Sequence, residues 1–111
     1  MIPNCKQIEE LSVTTNYGIK AYAYKIGKMC FVNIEGDGSQ FKKWWTNYDI
    51  VTINNVKAKR KATSIFNNQN DQTGALTIND NSNIISLNYF ATSNIVNSNS
   101  WIRGQLIFIC E

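Results

Sequence analysis

From Tyr17 onward apolar and polar residues alternate with a period of two, and no segment sustains the 3.6-residue period of an amphipathic helix. Ile19-Lys20-Ala21-Tyr22-Ala23-Tyr24-Lys25-Ile26 lays Tyr22, Tyr24 and Ile26 on one face of a strand and Ala21 and Ala23 on the other. Gly27-Lys28 then supplies a two-residue turn into Met29-Cys30-Phe31-Val32-Asn33-Ile34-Glu35, which predicts a hairpin closed by Gly36-Asp37-Gly38. An aromatic cluster at Trp44, Trp45 and Tyr48 leads into the β-branched run Asp49-Ile50-Val51-Thr52-Ile53. Further strands are expected at 62–66, 75–78, 84–90 and 101–110, separated by polar segments rich in Asn, Asp and Ser. About seven short strands with such turns predict an all-β fold, an antiparallel β-sandwich of jelly-roll-like kind, over residues 17–111.

Residues 1–16 read differently. Ile8 and Leu11, three apart in Cys5–Leu11, fit one or two helical turns before Ser12–Asn16 loosens into turn-forming residues, so this part is expected to be a connector or the remnant of a stalk. Two further features ask for partners. Both strands of the first hairpin carry apolar groups on two faces, as when one face meets a second sheet and the other a neighbouring element or subunit. The final strand carries Leu106, Ile107, Phe108 and Ile109 in succession, a hazard at an open edge, and is expected in mid-sheet or against another chain.

Composition narrows the chemistry. Histidine is absent, which removes imidazole bases, Ser-His-Asp and Cys-His pairs and imidazole metal sites. The longest relevant apolar run, Leu106 to Cys110, is five residues, against the roughly 20 of a bilayer helix, and no leader is read at the start, so no membrane insertion is expected. The net charge is +3, with four cations in Lys57-Ala58-Lys59-Arg60-Lys61. No nucleic-acid motif surrounds that run, so it is read as a solvated loop and no nucleic-acid partner is expected. Cys5, Cys30 and Cys110 are widely spaced without a C-x-x-C, which points to a reducing cytosol and buried thiols and leaves a single Cys30–Cys110 bridge open. Sixteen asparagines, none opening a glycosylation sequon, fit a codon bias rather than secretion.

The order of these pieces carries a resemblance. Tyr24-Lys25-Ile26-Gly27-Lys28 before Phe31-Val32, a strand closed by Glu35-Gly36, an aromatic segment, a paired strand-turn-strand and a terminal strand with Trp101 and Gly104 resemble the C-terminal head domain of bacteriophage tail-fibre and baseplate receptor-binding proteins. The likeness spans about residues 17–111. Such heads carry a Leu-Pro, Gly-Phe and Pro pattern after the aromatic strand, whereas Ile53-Asn54-Asn55-Val56-Lys57 stands there in this chain and its one proline is Pro3. The resemblance implies a homotrimer at the tip of a phage tail or fibre, made in the bacterial cytoplasm, in contact with other tail proteins and adsorbing to host cell-wall or capsular polysaccharide. The same sandwich as a ligand-free structural connector is the alternative, and a polysaccharide-cleaving enzyme the third reading.

Saccharide recognition needs an aromatic face for the C–H surface of a sugar ring and planar amide or carboxylate groups for adjacent hydroxyls. Trp44, Trp45, Asn47, Tyr48 and Asp49 supply both and form the candidate ligand set, with one of the two tryptophans expected in the core because neighbours in a strand face opposite ways. Trp101 is assigned to the scaffold. Asp37 and Asp80-Asn81-Ser82-Asn83 match no complete calcium loop and are read as self-bonding turns. Pairs such as Glu35 with Asp37, or Asp49 with Asp71, define no catalytic spacing, so neither catalytic residues nor cofactor or metal are expected.

Overall fold

The computed structural model describes residues 8–41, 43, 45–68, 72–90 and 101–111. Their strands are β1 (Ile8–Leu11), β2 (Val13–Thr15), β3 (Lys20–Ile26), β4 (Met29–Asp37), β5 (Tyr48–Ile53), β6 (Ala62–Asn67), β7 (Thr73–Ile78), β8 (Ile84–Phe90) and β9 (Trp101–Ile109), with one 3-10 turn at Gly38–Gln40. They form two antiparallel sheets: a front sheet in the order β1-β3-β4-β9 and a back sheet in the order β2-β5-β8-β7-β6. The all-β sandwich expected from the alternation is what the chain adopts.

Period-two patterning decides the core. Cys30, Val32 and Ile34 of β4 and Ile102, Leu106 and Phe108 of β9 point inward from the front sheet, against Ile53, Leu76, Ile78, Ile85, Leu87 and Tyr89 of the back sheet, all buried. Each such aliphatic or aromatic side chain withdrawn from water contributes about 1.5–3 kcal/mol before entropy is set against it. The predicted hairpin is present with Ile26 opposite Met29, and Gly27 stands at φ +59°, the positive value required at the first position of a tight two-residue turn. Between the sheets Gly104 faces Leu76, where a Cβ would lie 2.7 Å from the leucine Cδ1.

The sheets are joined along both sides. On one side the chain passes through Ser12 directly from β1, paired with β3, to β2, paired with β5. On the other, Ser64 Oγ of β6 donates to the Gln105 carbonyl of β9 at 2.5 Å, and Asn68 bridges Ile102. Two expectations change here. Ile8–Leu11 is strand rather than helical turn, and residues 8–15 are part of the sandwich rather than a connector, because β3 and β5 each offer an open edge and a lone short helix gains nothing comparable. β9 ends the front sheet instead of lying in its middle; its outer edge is covered by β6 and by the basic loop, with Lys59 N–H donating to Ile109 O at 2.7 Å.

That basic loop is a backbone strap. Glu111 N–H donates to Lys57 O at 3.0 Å, Ala58 N–H to Ser82 O at 2.9 Å, and Asn81 N–H to Ala58 O at 2.8 Å, while Lys57, Lys59, Arg60 and Lys61 stay exposed. Asp80 accepts from Lys61 N–H at 2.5 Å, and Ser82 Oγ from Ile84 N–H at 3.0 Å, which is the work of turn residues. Among the described residues no group of three or more His, Cys, Asp or Glu is placed to hold a metal ion.

Two buried polar features govern stability. Asn68 is buried and clamps a turn: its amide donates to Gln72 Oε1 at 2.7 Å and Tyr89 OH at 3.3 Å, and its Oδ1 accepts from Gln72 N–H at 3.0 Å. Cys30 and Cys110 are free buried thiols rather than a bridge. Burial, reinforced by hydrogen bonding to Cys110, pushes the Cys30 thiol up to about 12.

Asn68→Ala leaves its partners unsatisfied and is expected to cost about 1–3 kcal/mol in urea unfolding. The Cys30 contribution is complete below the ordinary thiol value of 9, where folded and unfolded chains both keep the proton, and is lost as pH rises toward about 12. Urea midpoints measured upward from pH 8 should therefore fall above about 9, and less steeply in Cys30→Ala.

Candidate functional site

The outer face of the back sheet is built from residues that alternate with the core. On β8, Ile85, Leu87 and Tyr89 point inward, so Ser86, Asn88 and Phe90 point out. On β5, Tyr48 lies opposite Leu87 and faces in, while Asp49 lies opposite Ser86 and faces out. A bulge at Ile50 interrupts the register between Asp49 and Val51. The extra residue lets Ile50 and Val51 both be buried while Asp49 stays at the surface. Asn16 holds the bulge, its N–H donating to Ile50 O at 3.0 Å and its side-chain amide to Asp49 O at 3.2 Å.

Trp45 reaches this face from the loop before β5. It sits in a turn, not in a strand, so the strand rule that would have sent one neighbouring tryptophan inward does not govern it; Trp44 lies outside the described residues. Trp45 stands at φ +60°, a left-handed conformation that costs a bulky L-residue about 1–2 kcal/mol. Its N–H donates to Tyr89 O at 3.0 Å, and its indole lies 5.5 Å from the Phe90 ring at 30°. The indole is 61% exposed and the Phe90 ring 37%, so together they form a shallow aromatic platform open to solvent.

Polar groups flank the platform along the same two strands. Asn88 donates to Asn47 Oδ1 at 2.7 Å, and Ser86 Oγ donates to Asp49 Oδ1 at 2.8 Å. Asn88 Oδ1 is buried without a hydrogen-bond partner among the described residues. The result is a row of ring, amide and carboxylate on one flat sheet surface, with Asp49 as the carboxylate of the cluster.

The sequence candidates thus divide by position. Trp45, Asn47 and Asp49 come together on the outer face. Tyr48 does not join them: it packs inward against Phe41 and Tyr17, with ring centroids 5.1 and 5.3 Å away, and its hydroxyl accepts from Lys43 N–H at 3.2 Å. It fixes the loop that carries Trp45. Phe90, Asn88 and Ser86 were missed, although their alternation with Ile85, Leu87 and Tyr89 was readable; they lie about 40 residues from the aromatic cluster, and sheet order alone makes them neighbours. Trp101 opens β9 on the front sheet opposite Asp37, away from this face.

No family model, curated protein or solved structure matches this chain.

Because its side chain is mostly in water and its backbone is strained, Trp45 contributes little to folding. Trp45→Asn, which keeps a residue tolerant of positive φ, should unfold within about 1 kcal/mol of the parent in urea. Tyr48→Ala should lose about 2–4 kcal/mol in the same assay.

Proposed function

We propose that the chain is a non-catalytic saccharide-binding module whose binding face is the outer surface of the back sheet, centred on Trp45 and Phe90. The observation that carries this reading is the exposed ring pair set beside Asn47, Asn88, Asp49 and Ser86. A pyranose presents an apolar C–H face to such rings while its equatorial hydroxyls reach amide and carboxylate oxygens a few ångströms away. Trp45 strain supports the same reading, since a costly backbone conformation is retained for a ring that buries little.

A flat, open platform makes few contacts per sugar, which suits repeated units of a long polymer. The resemblance to tail-fibre and baseplate heads gives the polymer an identity: cell-wall or capsular polysaccharide, bound when a phage adsorbs to its host. With one carboxylate in the cluster, held by a serine hydroxyl, the face is proposed to bind and not to cleave.

The test is a glycan array followed by titration of the best cell-wall or capsular polysaccharide into the purified chain. Saccharide binding is expected, with affinity falling about tenfold or more in Trp45→Asn and in Phe90→Ala. No new reducing ends should form on incubation. Absence of binding across such polymers, or full binding by Trp45→Asn, would overturn the reading.

A further inference from the structure

Among the described residues nothing covers the outer face of the front sheet, and toward the β3–β4 turn that face is apolar where a solvated sheet should be polar. Register places its outward side chains in level rows across the strands. The first row is Ile8, Ile26, Met29 and Ile109, and the second is Glu10, Tyr24, Phe31 and Ile107, with Tyr24 and Phe31 stacked at 5.0 Å and 11°. The third is Tyr22, Asn33 and Gln105, and the fourth is Lys20, Glu35 and Arg103. Ile8, Tyr22, Ile26, Met29, Ile107 and Ile109 are each between 38% and 58% exposed. The carboxylate of the second row lies at its β1 end, where Tyr22 OH donates to Glu10 Oε1 at 2.8 Å.

We infer that copies of this chain assemble through this face, about a rotation axis parallel to its strands. Such an axis keeps every row level with itself and lays the β1–β3 half of one copy on the β4–β9 half of the next. Ile8 and Ile26 then meet Ile109 and Met29, Tyr24 meets Phe31, and Lys20 meets Glu35. In the first two rows apolar groups therefore cover apolar groups, except at the rim, where Glu10, held by the Tyr22 hydroxyl, lies opposite Ile107, and in the fourth row Lys20 meets Glu35. An axis across the strands would instead set the first row on the fourth, burying Lys20 and Arg103 against isoleucine without a counter-charge.

Size and relief fit the same occupant. At strand spacing of about 4.8 Å and rise of about 3.3 Å the four strands cover roughly 450 Å² in projection, more once side chains corrugate it. That is about three-quarters of the roughly 600 Å² per partner at which stable specific interfaces begin, the size of a weak, reversible contact. A hollow of about 660 Å³ lies over the third and fourth rows, lined by Tyr22, Asn33, Glu35, Arg103 and Gln105. Tyr22, the most exposed ring of the face, is level with it, so the Tyr22 of a second copy is set to enter beside Asn33.

This assembly does not depend on saccharide binding, and its test does not use a saccharide. Light scattering after size exclusion should give a closed dimer or trimer for the native chain at about 100 μM, well above a micromolar dissociation constant. Ile107→Lys, at an exposed position, should be monomeric with unchanged far-UV circular dichroism. Lys20→Glu and Glu35→Lys should each weaken self-association about three- to tenfold by setting like charges opposite each other, and an equimolar mixture of the two should recover it. Mixing separates the contact between copies from the cross-strand pair within one chain, which the mixture cannot restore. A monomeric native chain, Ile107→Lys retaining the native mass, charge variants that assemble normally, or a mixture no tighter than either variant alone would each overturn the inference.

Discussion

The constraint on which this structure rests is that two small sheets can exclude water only if their edges as well as their faces are closed. Four and five strands give a thin sandwich, and water entering at either side would reach Ile102 or Leu76 at once. The chain solves this covalently on one side, by running β1 into β2 through Ser12, and by polar contacts on the other, where β6 and the Lys57–Lys61 strap lie along β9. Once the shell is closed, the inward half of each alternating strand is core and the outward half is free for other purposes.

How much of this was legible in the sequence depends on the range of the interaction. The β3–β4 hairpin was readable in full, because a Gly-Lys turn and two alternating strands fix turn, register and faces locally. The strand character of Ile8–Leu11 was not: two apolar residues three apart fit a helical turn, and strand wins only because the edge of β3 waits for it. Of the two places expected for β9, mid-sheet or against another chain, the first is not the one it takes, for a related reason. Its apolar run argued for a central place, whereas alternation sends Leu106 and Phe108 inward and Ile107 and Ile109 outward, and its edge is covered by a loop whose charges suggested only solvation.

The candidate site shows the same division. Its aromatic and amide content was visible around residues 44–49, yet the half contributed by β8 was not, since nothing local brings Asn88 to Asn47. Tyr48 was assigned to the ligand by composition and belongs to the scaffold by orientation, its ring joining Tyr17 and Phe41 beneath the loop. Trp45 and Tyr17 both hold positive φ, the first at the proposed platform and the second within the aromatic support beneath it.

The aromatic platform and the apolar face lie on opposite sides of one shell, only two sheets thick, with Gly104 of one sheet set against Leu76 of the other. Copies joined front to front would therefore turn every platform outward. Weak contacts made by several such surfaces to one polymer chain, or to neighbouring chains on a wall, share a high effective concentration, so holding strength grows as a product rather than a sum. Avidity would then reside in the arrangement of the shells, and the individual sugar contact could remain weak and readily exchanged.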